Sequence, residues 1–310
     1  MTLISRTATE ADLQIIQDIV NANLLSLDPK AKRIGEIEAK EYLTGFFDPG
    51  ITKLTKHSTQ EDWESFITLN PDTSRKRMYL DVYTRPGAAT LAETFELALQ
   101  LARSAHPNFQ LWPAISSNDY DYQRILQNHG FMLLRRYWTM EMSLPISTEV
   151  STSSLGDIRE IDIEEEIYTF HQVQQDSFSN HFGFMPRSLD EWREIVLRDR
   201  QEKNLRVWIV SVDGIDVGFM DCSDELKHEG SGYVEGLGVR PGYQGRGLGE
   251  KLLRHAITVN TEMGFRSLCL NVDAGNESGA LRLYEKVGMK AISEWQQYEN
   301  PKWSELTTTL

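Results

Sequence analysis

The sequence has few cysteines and no long apolar run. Its 310 residues include 2 cysteines, too few for a disulfide framework. Cys222 and Cys269 lie in or beside predicted strands and lack motif-spaced histidines, which favours buried free thiols over a metal site. No apolar stretch approaches the ~20 residues that span a membrane, and the first ten residues lack the apolar core of a signal peptide. We therefore expect a cytoplasmic protein with no metal and no membrane partner.

Basic residues are scarce relative to acidic ones. The chain has 32 Lys and Arg against 46 Asp and Glu, a net charge of −14. Nucleic-acid binding needs a basic surface, so we expect no nucleic-acid partner. The imbalance is uneven, with 15 basic and 18 acidic residues in 1–148 but 17 and 28 in 149–310. An acidic C-terminal half favours a cationic substrate.

A predicted strand, a glycine loop and a predicted helix follow one another over residues 230–249. Aromatic and β-branched residues precede Pro241, which ends the strand. The loop carries Gly245, Gly247 and Gly249, and from Leu248 the apolar residues recur at helical spacing. The free amides and the positive dipole end of such a helix attract anions. A pyrophosphate would fit at this junction.

Three known glycine loops compete for this stretch. A dinucleotide fingerprint needs a glycine where the chain has Glu250, and a Walker A loop needs Lys-Ser/Thr where it has Glu250-Lys251. The remaining pattern, Gln/Arg-x-x-Gly-x-Gly/Ala, is filled by Gln244, Gly247 and Gly249. This stretch resembles motif A of the GNAT family of N-acetyltransferases. The alternative is a structural glycine turn.

A second predicted helix resembles motif B of the same family. Asn276, Ala280 and Tyr284 are four residues apart, so they share one helix face, and Gly288 follows. In the family this face borders the thioester, with the tyrosine hydroxyl near the sulfur. The resemblance implies that Tyr284 assists the departing thiolate by donating a proton or a hydrogen bond. The alternative is a packed tyrosine.

The resemblance also implies the remaining site residues. The strand backbone would pair with the pantetheine arm of acetyl-CoA and polarise its carbonyl, and the loop amides would hold its pyrophosphate. Gly236 and Gly238 are interpreted as leaving room for another backbone-like chain. Glu235 is the candidate general base, Tyr233 is the other position that the family uses, and Glu235 could instead anchor substrate or face solvent. The predicted cofactor-binding residues are Leu237, Gly238, Val239, Gln244, Gly245, Arg246, Gly247, Leu248, Gly249, Asn276 and Tyr284.

The two halves of the chain repeat each other. Arg85-Pro86-Gly87 matches Arg240-Pro241-Gly242 at an offset of 155, and three further positions match at an offset of 158. The N-terminal copy lacks the glycine loop and has Leu126 in place of Tyr284. We therefore predict a degenerate N-terminal domain, 1–146, and a catalytic domain, 147–310, joined by a Ser/Thr-rich linker at Pro145–Gly156. The positions that match at 158 are Asn118 with Asn276, Arg124 with Arg282, and Gly130 with Gly288.

The resemblance implies an α/β fold of two tandem GNAT domains, each a mixed, mostly antiparallel sheet flanked by helices. Within them, Asp213-Gly214 predicts a hairpin, whereas residues up to Lys76 give no clear strand pair and are interpreted as helical over Ile37–Phe47 and Glu61–Leu69. The architecture resembles tandem GNAT proteins of the mycothiol synthase type, but no motif carries that specificity over.

The expected function is an N-acetyltransferase that transfers an acetyl group from acetyl-CoA to a primary amine of a small molecule by direct attack in a ternary complex. Acceptor recognition would come from Gln174–Trp192, in which His181 is a candidate proton carrier or a packing residue. Two alternatives remain open, a non-catalytic acetyl-CoA-binding scaffold and an enzyme that uses a longer acyl-CoA. The protein could be a monomer or a homodimer.

Overall fold

The computed structural model describes residues 1–144, 156–275 and 279–303. The chain divides into two compact units, Met1–Trp138 with Ser293–Leu310 and Thr139–Ile292. We refer to them as the N-terminal and C-terminal units. The predicted linker lies almost entirely outside the described residues, so the domain boundary after residue 146 stays a prediction. Among the described residues, no helix combines the length and apolar character needed to cross a bilayer.

Helices and strands form both units, and their types follow the same order in each half of the chain. In chain order they are β1 (Leu3–Arg6), α1 (Leu13–Leu27), α2 (Glu36–Thr44), β2 (Ile51–His57), β3 (Ser65–Asp72), β4 (Arg77–Thr84), α3 (Leu91–Ala105), β5 (Gln110–Ser116), α4 (Tyr120–Asn128), β6 (Met132–Ser143), β7 (Asp157–Glu160), α5 (Ile167–Phe178), α6 (Leu189–Lys203), β8 (Arg206–Val212), β9 (Ile215–Ser223), β10 (Ser231–Val239), α7 (Leu248–Glu262), β11 (Ser267–Asp273), α8 (Ala280–Lys286) and β12 (Lys290–Glu299).

Each unit is built on a mixed sheet. The strand order is β1-β2-β3-β4-β5-β12 in the N-terminal unit and β6-β11-β10-β9-β8-β7 in the C-terminal unit. The pairs β4–β5 and β10–β11 are parallel, and the other registered pairs are antiparallel. The boundaries between the units fall within β6 and β12. The predicted fold class, a mostly antiparallel sheet with helices, is confirmed.

Helices pack on the sheet through one apolar face each. In the N-terminal unit Ile16, Ile19 and Val20 of α1 are fully buried against β2 and β3, as the helical period of these residues requires. Phe95 and Ala98 of α3 are buried in a separate cluster with Leu80 and Val82 of β4. In the C-terminal unit, α7 buries Leu252, Leu253, Ala256 and Ile257. Both cysteines are free and buried, as predicted.

One sequence interpretation is wrong, because Glu61–Leu69 does not form a helix. Its second half belongs to β3, whose eight residues are all buried. A strand that is covered on both faces does not alternate between apolar and polar residues, and so the strand pattern is absent. Its buried hydroxyls are instead hydrogen-bonded, Ser65 to Thr84 and Thr90. The predicted helix over Ile37–Phe47 and the hairpin at Asp213-Gly214 are confirmed.

The repeat seen in the sequence has a structural counterpart. Gly87 and Gly242 both take positive φ, +82° and +87°, in turns closed by Ala88 N to Arg85 O and Tyr243 N to Arg240 O, each 3.1 Å. Gly130 and Gly288, at φ +76° and +98°, end α4 and α8. In each case the next residue donates to the carbonyl four positions before the glycine, at 3.0 Å. The matched positions therefore share backbone geometry.

Candidate active site

β10 and β11 are paired for only part of their length. Their parallel register runs from Ser231–Ser267 to Val234–Leu270, whereas β10 continues to Val239 in register with β9. A register shift between Val234 and Gly236 leaves Glu235 as the extra residue of a β-bulge. Among the described residues, the edge of β10 that faces away from β9 therefore has no ladder partner after Val234. Such backbone groups need a hydrogen-bonding partner or water.

Gly236 and Gly238 in this strand are explained by packing. A Cβ at Gly236 would lie 2.6 Å from Oδ1 of Asp221, and a Cβ at Gly238 would lie 2.7 Å from both Cε1 of Phe219 and Cβ of Ser177. Real Cβ contacts are not this short. The interpretation that these glycines leave room for another chain is therefore corrected, because protein side chains occupy the space beside them. The unpaired edge of β10 is what remains open to a ligand.

The loop after β10 leaves space around its glycines. Among the described residues, no atom beyond the adjoining backbone lies within 4 Å of a Cβ placed at Gly245 or Gly247, whose φ values are +73° and +82°. Gly247 is the N-cap of α7, so the first amides of this 15-residue helix lack intrahelical partners. Gln244 ties the loop to β10, since its Nε2 donates to Val239 O at 2.9 Å. Arg246 is exposed and its guanidinium lies 5.0 Å from the Tyr243 ring.

The start of α7 also touches the other predicted parts of the site. A Cβ at Gly249 would lie 3.3 Å from Cδ2 of Leu283 and 3.7 Å from Cδ2 of Leu237. Loop, strand and α8 therefore converge here. Glu250, one residue on, accepts from Lys286 Nζ at 2.6 Å and from Arg254 at 2.9 Å. These two cations lower the pKa of Glu250. The three side chains together carry a net charge of +1 beside the glycine loop.

Acidic side chains gather around the bulge. Gly236 pairs with Asp221 and Tyr233 pairs with Ser223 across β9 and β10, so these residues lie near Glu235. Asp221 Oδ1 is buried and has no hydrogen-bond partner in the described part of the chain. Lys203 is buried and its Nζ lies 3.2 Å from Oε2 of Glu225.

The pKa values of Asp221 and Glu235 are both raised above their usual range. Burial, together with the charge of Asp199, raises the pKa of Asp221 to about 8, against an amide hydrogen bond from Gly236. Removal from water and the charge of Glu225 raise the pKa of Glu235, which Lys203 and the Ser223 hydroxyl oppose. The Glu235 residue is nevertheless exposed.

Tyr284 lies on α8 with most of its surface buried. Its side chain is 7% exposed, and burial raises the pKa of its hydroxyl to about 12. The hydroxyl forms no hydrogen bond within the described residues, yet it is not among their fully buried unpaired atoms. It therefore keeps both a free donor and an access path. Asn276, the other motif B residue, lies outside the described residues.

Part of the chain is similar to a known protein family. Residues 167–289 match the family model of the Acetyltransferase (GNAT) family. This segment is a GNAT domain. No curated protein sequence matches the chain.

Solved structures extend the likeness of the GNAT domain to nearly the whole chain. A GCN5-related N-acetyltransferase from Sphaerobacter thermophilus aligns over 96% of this chain and 95% of its own, with 18% identity and a TM-score of 0.78. A tandem GNAT protein from the clavulanic acid biosynthesis pathway aligns over 96% and 98%, with 11% identity and a TM-score of 0.71. At these identities the likeness is one of fold, and the fold is that of tandem GNAT proteins.

The predicted site residues of the GNAT domain lie on adjoining elements, apart from Asn276. Asp221 was not among the site residues predicted from the sequence. The signal that could have identified it is a single charged residue within the apolar stretch Val217–Cys222. Lys203 and Lys286 were not predicted either. Both lie in charged helical segments, whose sequence pattern is the same as that of any solvent-exposed helix. His181 packs on Phe178, with ring centroids 4.4 Å apart, and burial lowers its pKa.

We expect Gly238→Ala to destabilise the GNAT domain by about 1–3 kcal/mol, because the new methyl group would overlap Phe219 and Ser177. The matched control is Gly249→Ala, where the nearest atom is the flexible Leu283 side chain at 3.3 Å and alanine favours the helix. Its change should stay within ~0.5 kcal/mol. Thermal unfolding of both variants measures the difference, and equal stability would contradict the packing explanation.

Proposed function

We propose that the protein is an acetyl-CoA-dependent N-acetyltransferase whose active site lies in the C-terminal unit and whose acceptor is a small primary amine. The family match carries acetyltransfer in general. The observation that carries the site is the parting of β10 from β11 beside an open glycine loop and an unpaired tyrosine hydroxyl. The predictions that the protein acts without a metal and in the cytoplasm stay predictions.

The glycine loop suits the pyrophosphate of coenzyme A. The open space at Gly245 and Gly247 and the free amides at Leu248 and Gly249 supply donors for phosphate oxygens. Lys286, Arg254 and Glu250 together carry a net positive charge, which attracts the pyrophosphate. The unpaired edge of β10 at Leu237–Val239 would hold the amides of the pantetheine arm, which are backbone-like in shape. When bound, acetyl-CoA supplies an activated acyl group.

The acidic residues at the bulge suit a cationic amine. An ammonium group must lose a proton before its nitrogen can attack a carbonyl carbon. Glu235 is exposed and has a raised pKa, so it binds that proton more strongly than an ordinary glutamate would. Asp221 pairs with Gly236, the residue that follows Glu235, and its Oδ1, which has no partner among the described residues, can accept a hydrogen bond from the same ammonium. We therefore assign Glu235 as the base and Asp221 as an acceptor anchor.

Tyr284 would act as a hydrogen-bond donor to the leaving sulfur. With a pKa of about 12, full proton transfer to a thiolate of pKa ~8.5 would be uphill by ~5 kcal/mol. A hydrogen bond to the developing negative charge needs no such transfer. A bond of this kind contributes about 1.5–3 kcal/mol.

Tyr284→Phe should therefore lower kcat about 10- to 100-fold while the Kd for acetyl-CoA changes little. The phenyl ring keeps the packing, so only the hydroxyl is lost. Steady-state kinetics on a primary amine and calorimetry with acetyl-CoA separate the two effects. An unchanged kcat would remove Tyr284 from the mechanism.

Gly247→Val should weaken coenzyme A binding at least ~10-fold, because the side chain would enter the space where phosphate is expected and the φ of +82° strains the loop. Gly264→Val is the matched control. Gly264 has the same φ, also has open space around it, and lies just past the opposite end of α7. Calorimetry should give a near wild-type Kd for this control. Equal weakening by both variants would mean that the loss is general strain.

The pH dependence of kcat/KM should identify the base. A base works when deprotonated, so the raised pKa of Glu235 should make activity increase with pH at a higher pH than the ordinary pKa of a glutamate would give. Glu235→Gln should remove most activity. Asp221→Asn removes a neighbouring negative charge, lowers the pKa of Glu235 and should move the acidic limb to lower pH.

Both variants are measured with one acceptor, so that its own ionisation is common to them. If instead Asp221→Asn abolishes turnover and Glu235→Gln does not, the two roles are reversed. Coenzyme A binding without turnover on any amine of a broad panel would favour the scaffold alternative.

A further inference from the structure

The ring of Phe219 lies over the unpaired part of β10. Phe219 belongs to β9, where it pairs with Gly238. Its Cε1 would lie 2.7 Å from a Cβ at Gly238, and its Cε2 would lie 3.0 Å from a Cβ at Gly236. Because side chains stand roughly perpendicular to a sheet, these ring atoms lie directly above the two glycines. The ring therefore reaches from its own strand across β10.

Packing from α5 fixes the Phe219 ring in this position. Phe219 is 1% exposed, and the rings of Phe170 and Phe178 lie 5.6 and 5.5 Å from it between centroids. Ser177, on the same helix, fills the adjoining space, since its Cβ would lie 2.7 Å from a Cβ at Gly238. Close-packed neighbours leave the ring no room to move aside. Phe219 and Ser177 therefore close the α5 side of β10 at Gly238.

The acyl group of the donor would lie beside these closed positions. In the proposed complex the pyrophosphate binds at the glycine loop, which follows β10, and the pantetheine arm runs back along the unpaired edge towards Val234. The acyl group is carried at the end of the arm that is farthest from the pyrophosphate. It is therefore the part of the donor that comes next to Gly238 and Gly236.

The surroundings of this position limit how far an acyl chain can extend. In the plane of the sheet the gap ends where Val234 pairs with Leu270, because paired strands lie only ~4.8 Å apart. On the face opposite to Phe219 stands Leu237, whose Cδ2 would lie 3.7 Å from a Cβ at Gly249. An acetyl group has a single carbon beyond its carbonyl. Each further methylene group needs space on the α5 side, which the Phe219 ring fills.

We propose that Phe219 sets the upper limit on the length of the acyl group, so that the enzyme uses acetyl-CoA and excludes longer acyl donors. This inference rests on the acyltransferase function proposed above. A leucine at position 219 ends at the level of the phenyl Cδ atoms and lacks Cε1, Cε2 and Cζ. Cε1 and Cε2 are the ring atoms nearest to the Cβ positions of Gly238 and Gly236. Phe219→Leu therefore opens space where the acyl chain would extend.

The test compares acetyl-CoA with butyryl-CoA, which has two more methylene groups, on the full chain with one primary amine as acceptor. For the wild type we expect kcat/KM to be at least ~10-fold lower with butyryl-CoA, as is usual when a pocket lacks room for a methylene group. Phe219→Leu should raise the butyryl-to-acetyl ratio at least ~10-fold. The matched control is Phe265→Leu, the same change at a buried residue just past the C-terminal end of α7, which should keep the wild-type ratio.

A second variant and a binding measurement complete the test. Phe219→Ala removes the whole ring and should also admit hexanoyl-CoA; if it does not fold, Phe219→Leu decides. Calorimetry without acceptor gives the Kd of each acyl-CoA, and we expect the same order as for kcat/KM. The proposal is overturned if the wild type uses butyryl-CoA as well as acetyl-CoA, if Phe219→Leu leaves the ratio unchanged, or if Phe265→Leu changes it equally. Binding without turnover of any acyl-CoA would contradict the proposed function instead, and the Kd ratios would still decide the role of Phe219.

Discussion

Two parallel strands that part inside a sheet leave backbone donors and acceptors that must find other partners. In the C-terminal unit this happens after Val234, where β10 leaves β11 and stays with β9. The unpaired edge of β10 is followed along the chain by the glycine loop and then by the N-terminus of α7. Leu283 of α8, next to Tyr284, lies beside Gly249 at the start of α7. The candidate chemistry thus depends on one break in a hydrogen-bonded ladder.

The parts of this site that are local in sequence could be predicted. The order of strand, loop and helix, the positive-φ glycines and the position of Tyr284 follow from short-range patterns. Asp221 could not be placed at the site from sequence, because its proximity to Glu235 depends on the register of β9 with β10 and on a bulge. Gly236 and Gly238 were misinterpreted for the same reason, since only the neighbouring Phe219 and Ser177 reveal why a side chain is excluded.

The fold was predicted better in the C-terminal half than in the first 76 residues. In these first 76 residues no motif supports the family resemblance. β3 could not be recognised as a strand, because burial on both faces removes the alternation of apolar and polar residues. The repeat nevertheless allowed the fold of the N-terminal half to be predicted from that of the C-terminal half. Its matched positions include turn and helix-end glycines, which need positive φ whatever lies around them. Residues that determine backbone geometry survive in both copies, while the residues that carry the chemistry differ.

The bulge explains how one scaffold holds two different carboxylates. The four paired residues before the divergence, Arg77–Leu80 and Ser231–Val234, correspond at an offset of 154, whereas the turns after it correspond at 155. The additional residue is Glu235, which the register shift places outside the regular pairing and which is exposed. Asp81 stands in an unbroken register with Thr68 and is partly buried. One inserted residue therefore separates an exposed carboxylate outside the regular pairing from a partly buried one within it.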